Sequence, residues 1–242
     1  MIAQERSYRK IMARTGLVSF RVRHMQTDLH VQASFDLTDL VSAWIIQARL
    51  VIESYAENHP GFLEALTPWP EDELAPSPVR EMIAAATEVG VGPMAAVAGA
   101  ISEYVGIRCR DVSDGEVIVE NGGDIFLWTN SSVDIALWAG DSPLSGKVGI
   151  ELSGDSMPLG VCTSSGTVGH SLSLGKADAV TVISADCALA DAAATAAGNM
   201  VKSPEDIEPT IDFLRTLPSI IGVVVIIGDK LGVWGDIKLT PM

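Results

Sequence analysis

Residues 179–195, AVTVISADCALADAAAT, combine a short apolar run with a longer run of small residues. The apolar run predicts a buried strand over residues 178–184, and the small residues predict a helix over residues 187–201. On that helix Asp191 and Thr195 are four positions apart, so both side-chain oxygens lie on one face. We expect this strand and helix to form the centre of the fold.

Two interpretations of Asp191 and Thr195 stay open at this point. A carboxylate and a hydroxyl offer oxygen ligands to a hard cation such as Mg²⁺, which keeps part of its shell for water and substrate phosphate. Alternatively, Asp191 is a structural residue of the N-terminal turn of the helix, and the Thr195 hydroxyl hydrogen-bonds to a carbonyl of the preceding turn. The pair alone does not decide between a metal site and a structural role.

The composition is that of a folded globular chain. Its 242 residues are 48% hydrophobic and 19% charged, which excludes an intrinsically disordered protein. This length fits one large domain or two small ones. We expect a single domain over residues 1–242, in which residues 1–61 and 79–242 form two sub-regions.

The net charge restricts the ligands and partners. With 16 Lys and Arg against 31 Asp and Glu, the chain carries a net charge of −15, which disfavours nucleic acids and anionic lipid surfaces as partners. A ligand containing phosphate would therefore need a bound cation, backbone N–H groups or a helix N-terminus.

Compartment and redox state follow from three simple features. Residues 1–14 lack the apolar core of a signal peptide, and the longest apolar runs, residues 89–101 and 219–228, are shorter than the roughly 18 residues that span a bilayer. Three widely spaced cysteines predict buried thiols in a reducing compartment, with a reactive Cys162 as the alternative. We expect a cytoplasmic protein.

The remaining pattern predicts an α+β fold, in which antiparallel strands carry helices grouped on one side. The first half of the chain is expected to form a hairpin (15–34), a long helix capped by Thr38 (38–58), a Pro-rich connector (62–78) and two helices (80–88 and 94–105). After Ile107 we expect a three-stranded meander (117–120, 124–128 and 133–138) and a turn-rich loop (159–169), followed by the central strand and helix. A short helix that starts at Ser203 and is interrupted at Pro209, and a closing hairpin (222–234), complete the expected order.

Three segments resemble the ApbE family, the FAD:protein FMN transferases. Residues 179–195 are similar to that family's strand and Ala-Asp-Ala-x-x-Thr helix. Residues 119–124, VENGGD, are similar to its Asn-x-Gly-Gly-[Asp/Glu] turn, and residues 160–166, GVCTSSG, to its Ala-Thr-Ser-Gly loop, which a His follows in both. The order is also shared, and within the family the chain looks most like the short, uncharacterised ApbE-like proteins.

This resemblance implies an ApbE-like, T-fold-like architecture, and FAD and Mg²⁺ as ligands. In the family, a Thr hydroxyl of an acceptor protein attacks the phosphate next to FMN and AMP is released. The residues implied at matching positions are metal ligands (Asp191, Thr195 and a main-chain carbonyl near Ala98), catalytic residues (His170 and Asp124) and nucleotide-binding residues (Asn121, Gly122, Gly123, Thr163, Ser164, Ser165 and Gly166).

Two departures from the family pattern leave alternatives open. The family's Lys-Gly-Tyr-Ala-x-Asp becomes residues 98–103, AGAISE, and its His-x-x-Asp-Pro-x-Thr-Gly becomes residues 170–178, HSLSLGKAD. One alternative is a scaffold that binds a different nucleotide-like ligand without transferring FMN. The other is a structural or interaction protein, in which Asp191 caps a helix and His170 is a core histidine.

Overall fold

The computed structural model describes residues 14–166 and 174–242. Its helices are α1 (Thr38–Asn58), α2 (Val79–Val89), α3 (Val97–Ser113), α4 (Cys187–Met200) and α5 (Ile207–Arg215). Its strands are β1 (Val18–His24), β2 (Thr27–Ala33), β3 (Val117–Asn121), β4 (Asp124–Trp128), β5 (Val133–Ala136), β6 (Val148–Leu152), β7 (Leu159–Ser164), β8 (Ala179–Ser184), β9 (Ile220–Ile227), β10 (Lys230–Gly235) and β11 (Lys238–Pro241).

The strands form two antiparallel sheets. The larger has eight strands in the order β1-β2-β3-β4-β7-β8-β9-β10, and the smaller has three in the order β11-β6-β5. The helices cover one face of the large sheet and the small sheet covers part of the other, so two hydrophobic cores lie on opposite sides. The expected α+β class with helices on one side is confirmed.

Strand β8 shows why the apolar runs of this chain are continuous rather than alternating. Val180 and Val182 belong to the core under the helices, whereas Ala179 and Ile183 belong to the core under the small sheet. Since successive side chains point to opposite faces, a strand covered on both faces favours apolar residues on both of them. The predicted central strand is therefore confirmed.

Close contacts fix helices α3 and α4 on the sheet and against each other. A Cβ atom on Gly99 of α3 would lie 2.3 Å from the carbonyl oxygen of Cys187, and one on Gly160 of β7 would lie 2.4 Å from the Cα atom of Cys187. Neither distance is compatible with a side chain, so glycine allows the backbones of α3, α4 and β7 to meet. The small residues near position 99 thus serve tight packing.

Three predicted elements agree closely with the structure. Helix α1 has the predicted bounds, β1 and β2 form the predicted hairpin, and α4 ends one residue before the predicted end. The cap of α1 is different: Thr38 makes no capping hydrogen bond, and its own N–H donates to Oδ1 of Asp36 at 2.8 Å.

The prediction of a loop over residues 159–169 is wrong for its first six positions. Residues Leu159–Ser164 form β7, which pairs with β4 on one side and β8 on the other. The small polar residues that favour a turn are accommodated here because the strand is central and α4 lies directly over it. Residues 167–173 are outside the described part of the chain.

Other boundaries were also predicted wrongly. Helix α3 continues to Ser113 and ends at Asp114, whose φ is 45°, so the strand pattern does not begin after Ile107. Strand β5 pairs with β6 in the small sheet and not with β4, so β3, β4 and β5 do not form the predicted three-stranded meander. Pro209 is the third residue of α5 and does not interrupt it, because first-turn N–H groups have no partner within the helix.

Among the described residues, no single helix is long and apolar enough to cross a bilayer. The helical segments Val79–Val89 and Pro93–Ser113 together have sufficient length and apolar character, but they are bent by 107° relative to each other.

Candidate functional site

Four segments meet at one end of the large sheet: the start of α3, the β3–β4 turn, β7 and the first half of α4. In the turn, Asn121 pairs with Asp124 across the hairpin. The two residues between them have φ angles of 75° and 122°, and glycine adopts such positive angles without strain. Gly122 and Gly123 therefore place Asp124 at the start of β4, beside β7, and a Cβ atom on Gly123 would lie 3.7 Å from the carbonyl oxygen of Thr163.

One peptide group, between Ala98 and Gly99, joins three of these segments. The Gly99 N–H donates to Oδ2 of Asp191 at 2.8 Å. The Ala98 carbonyl accepts from the Asn121 side chain at 3.2 Å and from the Ser102 hydroxyl at 2.9 Å. Since a trans peptide directs its N–H and C=O to opposite sides, this carbonyl points away from the bonded oxygen of Asp191.

Asp124 and Asp191 form a pair of buried carboxyl groups. Each residue is only 9% exposed. Burial raises the pKa of both, and the negative charge of Asp191 raises the pKa of Asp124 further. Within the described ranges, no Lys or Arg forms an ion pair with either carboxylate. The site therefore concentrates buried acidic groups that lack a positive partner in this part of the chain.

Glu120 adds a third acidic group that the sequence analysis did not identify. This residue is 1% exposed, and its Oε1 accepts the Gly123 N–H at 3.2 Å. Its charge also raises the pKa of Asp124. The only signal in the sequence was a carboxylate at the end of an otherwise apolar strand. The bond to Glu120 engages the Gly123 N–H, which is therefore not directed toward a ligand.

Two thiols lie beneath the carboxyl pair. The Sγ atoms of Cys162 and Cys187 are 3.6 Å apart, and the Cys187 thiol also lies 3.6 Å from the carbonyl oxygen of Ile125. Burial raises the pKa of the Cys162 thiol well above its usual value. All three cysteines are free and buried, which confirms the expectation of buried thiols.

Glu103 is a further candidate functional residue. It belongs to α3, and its side chain lies at the start of α4. Its Oε2 accepts the Cys187 N–H at 3.1 Å, and Asp186 caps the same helix by accepting the Leu189 N–H at 2.8 Å. Burial and then the negative charge of Asp186 raise the pKa of Glu103 to about 7. The sequence marked this position only as a departure from the family motif.

The other expected site residues lie along α4 and along β7 and the residues that follow it. Thr195 is half-buried, one turn beyond Asp191 on α4. The Thr163 hydroxyl lies 2.8 Å from that of Thr181, Ser164 packs beside Gly198, Ser165 follows β7, and the Gly166 N–H donates to the Ala177 carbonyl at 2.9 Å. His170 lies outside the described residues.

The structure thus brings together Ala98, Asn121, Asp124, Thr163 and Asp191, through contacts within the described residues. In those same ranges, no three or more His, Cys, Asp or Glu side chains are arranged to hold a metal ion. Any cation bound here would therefore depend on other oxygen donors, such as hydroxyl or carbonyl groups or water.

The fold belongs to a known class. It matches the solved flavin transferase ApbE from Vibrio cholerae with a TM-score of 0.52 and 14% identity, covering 90% of this chain and 96% of that one. It also matches the apo flavinyl transferase ApbE of Pseudomonas stutzeri, with a TM-score of 0.54 and 14% identity, covering 90% and 93%. The fold is therefore ApbE-like.

Sequence comparison places the chain within a family. The model of the family described as AbpE bacteria matches residues 9–215. A UPF0280 protein of Methanococcus aeolicus is 38% identical over 226 residues, 91% of each chain, and one of Methanocella arvoryzae is 42% identical over 191 residues, 79% of this chain and 78% of the relative. The chain belongs to this AbpE, UPF0280 family, as its motifs indicated.

Proposed function

We propose that this protein binds FAD together with Mg²⁺ at the carboxylate site and transfers the FMN part to a hydroxyl group of an acceptor protein. The carboxylate site comprises Asp124, Asp191, Asn121 and the Ala98–Gly99 peptide. The observation that carries the proposal is the pair of buried carboxyl groups, which lacks a cationic partner among the described side chains. The ApbE-like fold supports the same conclusion.

The donor set of the site fits a divalent cation. Burying carboxylates without an opposite charge is costly, and a cation would supply that charge. Oxygen atoms are the ligands that Mg²⁺ prefers, and a few of them suffice because the ion retains water and phosphate ligands. Asp191 would hold the ion, with the Thr195 hydroxyl one turn away on the same helix face.

The Ala98 carbonyl fits this role less well than the sequence suggested. It faces away from the Asp191 oxygen bonded to Gly99, and it already accepts hydrogen bonds from Asn121 and Ser102. It would join the ligands only if the peptide group turned over. Asp191 and Thr195 would therefore hold the ion, with water and phosphate oxygens as its other ligands, and Asp124 would stay free to accept a proton.

Asp124 has the properties of a proton acceptor for the transfer. Its pKa is raised well above the usual value by burial and by Asp191, and a more basic carboxylate is a better proton acceptor. It would take the proton of the acceptor hydroxyl while that oxygen bonds to the FMN phosphorus and the bond to AMP breaks. A bound Mg²⁺ would neutralise charge on the phosphates.

A second candidate function is binding of FAD or a similar nucleotide without transfer. Ala98 occupies the position of the family's Lys and offers no side-chain donor to a phosphate. Glu103, at the position of the family's Asp, is engaged by the N–H of Cys187. Both observations favour a site that retains the fold and the acidic groups but has lost part of the transfer machinery.

The test measures binding and turnover separately. FAD binding is measured by calorimetry with Mg²⁺ and with EDTA, and AMP release is followed by chromatography in the presence of a Thr-containing acceptor peptide. Asp191→Asn should abolish both, whereas the exposed Asp212→Asn on α5 serves as the charge-matched control. Binding that needs Mg²⁺ but yields no AMP supports the second candidate, and absence of FAD binding contradicts both.

A further inference from the structure

The outer side of α1 carries an open apolar groove. The groove has a volume of about 670 Å³ and lies between α1 and the connector at Pro76. Of the described residues that line it, none is Asp, Glu, Lys or Arg. Leu50 is 59% exposed and Ile46 is 37% exposed, and Leu74, two residues before Pro76, is 94% exposed.

Acidic residues are concentrated in the part of the chain that forms this apolar groove. From residue 50 to residue 79 the chain contains six acidic residues and no Lys or Arg. A second depression of about 490 Å³ on α1 includes Glu53, Glu57 and Glu64. At the wall of the apolar groove, Tyr55 donates its hydroxyl to Asp72 at 2.9 Å. We call the groove together with this acidic margin the α1 surface.

Most of the negative charge on this margin lacks a basic partner among the described residues. Glu53 is paired with Arg49 at 2.8 Å, but among the described residues no ion pair involves Glu57 or Glu64. Exposed apolar side chains next to unpaired charges of one sign are typical of a surface that binds a partner. The charge defines the chemistry of that partner, which has to be basic.

The shape of the groove indicates a helical partner segment. Its lining residues run along α1 from Ala43 to Asn58, which at about 1.5 Å per residue is a length of about 22 Å. That length accommodates about four turns of an amphipathic helix, which inserts apolar side chains into such grooves. A second copy of this chain would bring its own acidic margin and meet like charges, and an anionic membrane would be repelled.

We infer that the α1 surface is a docking site for a basic amphipathic helix of another protein. Leu50 and Ile46 would contact the apolar face of that helix, and Glu57 and Glu64 would pair with its Lys or Arg side chains. The inference goes beyond the proposed function and does not depend on it, because none of these residues belongs to the carboxylate site. Loss of FAD binding would leave it unaffected.

The probe is a labelled 16-residue helical peptide with Leu at one face and Lys elsewhere, and binding to the full chain is measured by fluorescence anisotropy. Leu50→Gln and Glu57→Lys should each weaken binding about tenfold or more. The matched controls change similar exposed residues elsewhere: Leu239→Gln on β11 and Glu208→Lys on α5 should change affinity less than about twofold. A peptide with Glu in place of Lys should not bind.

Three outcomes would overturn the inference. The first is an equal loss of affinity in all four variants, because it would show that the basic peptide binds the acidic protein nonspecifically and not at the α1 surface. The second is no binding of the basic peptide. The third is a wild-type dimer in sedimentation that Leu50→Gln converts to a monomer, because a second copy then occupies the groove.

Discussion

Glu103 and Asp191 cap each other's helices. Glu103 of α3 accepts the Cys187 N–H at the start of α4, and Asp191 of α4 accepts the Gly99 N–H at the start of α3. Each carboxyl group thus satisfies a donor that has no partner within that donor's own helix. The exchange fixes the alignment of the two helices that carry the site.

The first prediction concerns pH. Burial raises the pKa of Glu103 from 4.5 to about 7 in the folded protein, so the folded state binds the proton more tightly than the unfolded state. The resulting stabilisation is complete below about pH 4.5 and is lost as the pH rises through about 7. In Glu103→Gln the amide oxygen still accepts the Cys187 N–H, but this titration is absent.

Urea unfolding of both proteins between pH 5 and pH 8 measures the effect. The variant should be more stable than the wild type at pH 8, by on the order of 1–3 kcal/mol, with little difference at pH 5. Parallel curves for the two proteins would show that Glu103 does not titrate in this range.

The second prediction compares two glycines in the paired helices. In Gly99→Ala, the new Cβ atom would lie 2.3 Å from the Cys187 carbonyl oxygen and 2.8 Å from the Cβ atom of Asp191. We expect a loss of about 2–4 kcal/mol, despite a gain of about 1 kcal/mol in helix propensity. In Gly198→Ala the nearest atom is the Ser164 hydroxyl at 3.2 Å, which rotates, so stability should change little. Urea unfolding of both variants provides the comparison.

Local features of the fold were readable from the sequence because they depend on periodicity. The apolar stripe of α1 and the small-residue run of α4 each specify one element. The partners of each strand were not readable: β5 follows β4 in the chain, yet it pairs with β6 in the other sheet. The same limit applies to β7, whose Ser and Thr residues form a strand only because β4 and β8 supply ladder partners on both sides.

For the candidate site, the sequence predicted only those residues that belong to recognisable motifs. Asp124 and Asp191 are 67 positions apart, and their interaction arises from the hairpin turn and from the contact between α3 and α4. Glu120 and Ser102 were not identified, because an acid in a strand and a Ser in a helix have no distinctive spacing. The orientation of the Ala98 carbonyl depends on one peptide plane, which sequence does not specify.

The third prediction concerns thiol reactivity. Cys109, Cys162 and Cys187 are buried, and burial raises the pKa of Cys109 to about 12. Because the thiolate is the reactive form, the native protein should react with an aromatic disulfide reagent at least about a hundredfold more slowly than the urea-unfolded protein. Rapid modification of a thiol in the native state would contradict this prediction, and mass spectrometry of the labelled peptide would show whether Cys162 is the residue that reacts.

The last prediction concerns divalent cations and stability. At pH 8, without added cation, Asp124→Asn should be more stable than the wild type by about 1–3 kcal/mol, because it removes a buried acidic group whose ionisation is disfavoured by burial and by Asp191. Mg²⁺ at about a hundred times its dissociation constant should stabilise the wild type by about 2.7 kcal/mol, and Asp191→Asn should lose this gain. Thermal unfolding with Mg²⁺ and with EDTA measures both effects, and the exposed Asp212→Asn should behave like the wild type. Equal stabilisation of wild type and Asp191→Asn by Mg²⁺ would place the cation elsewhere.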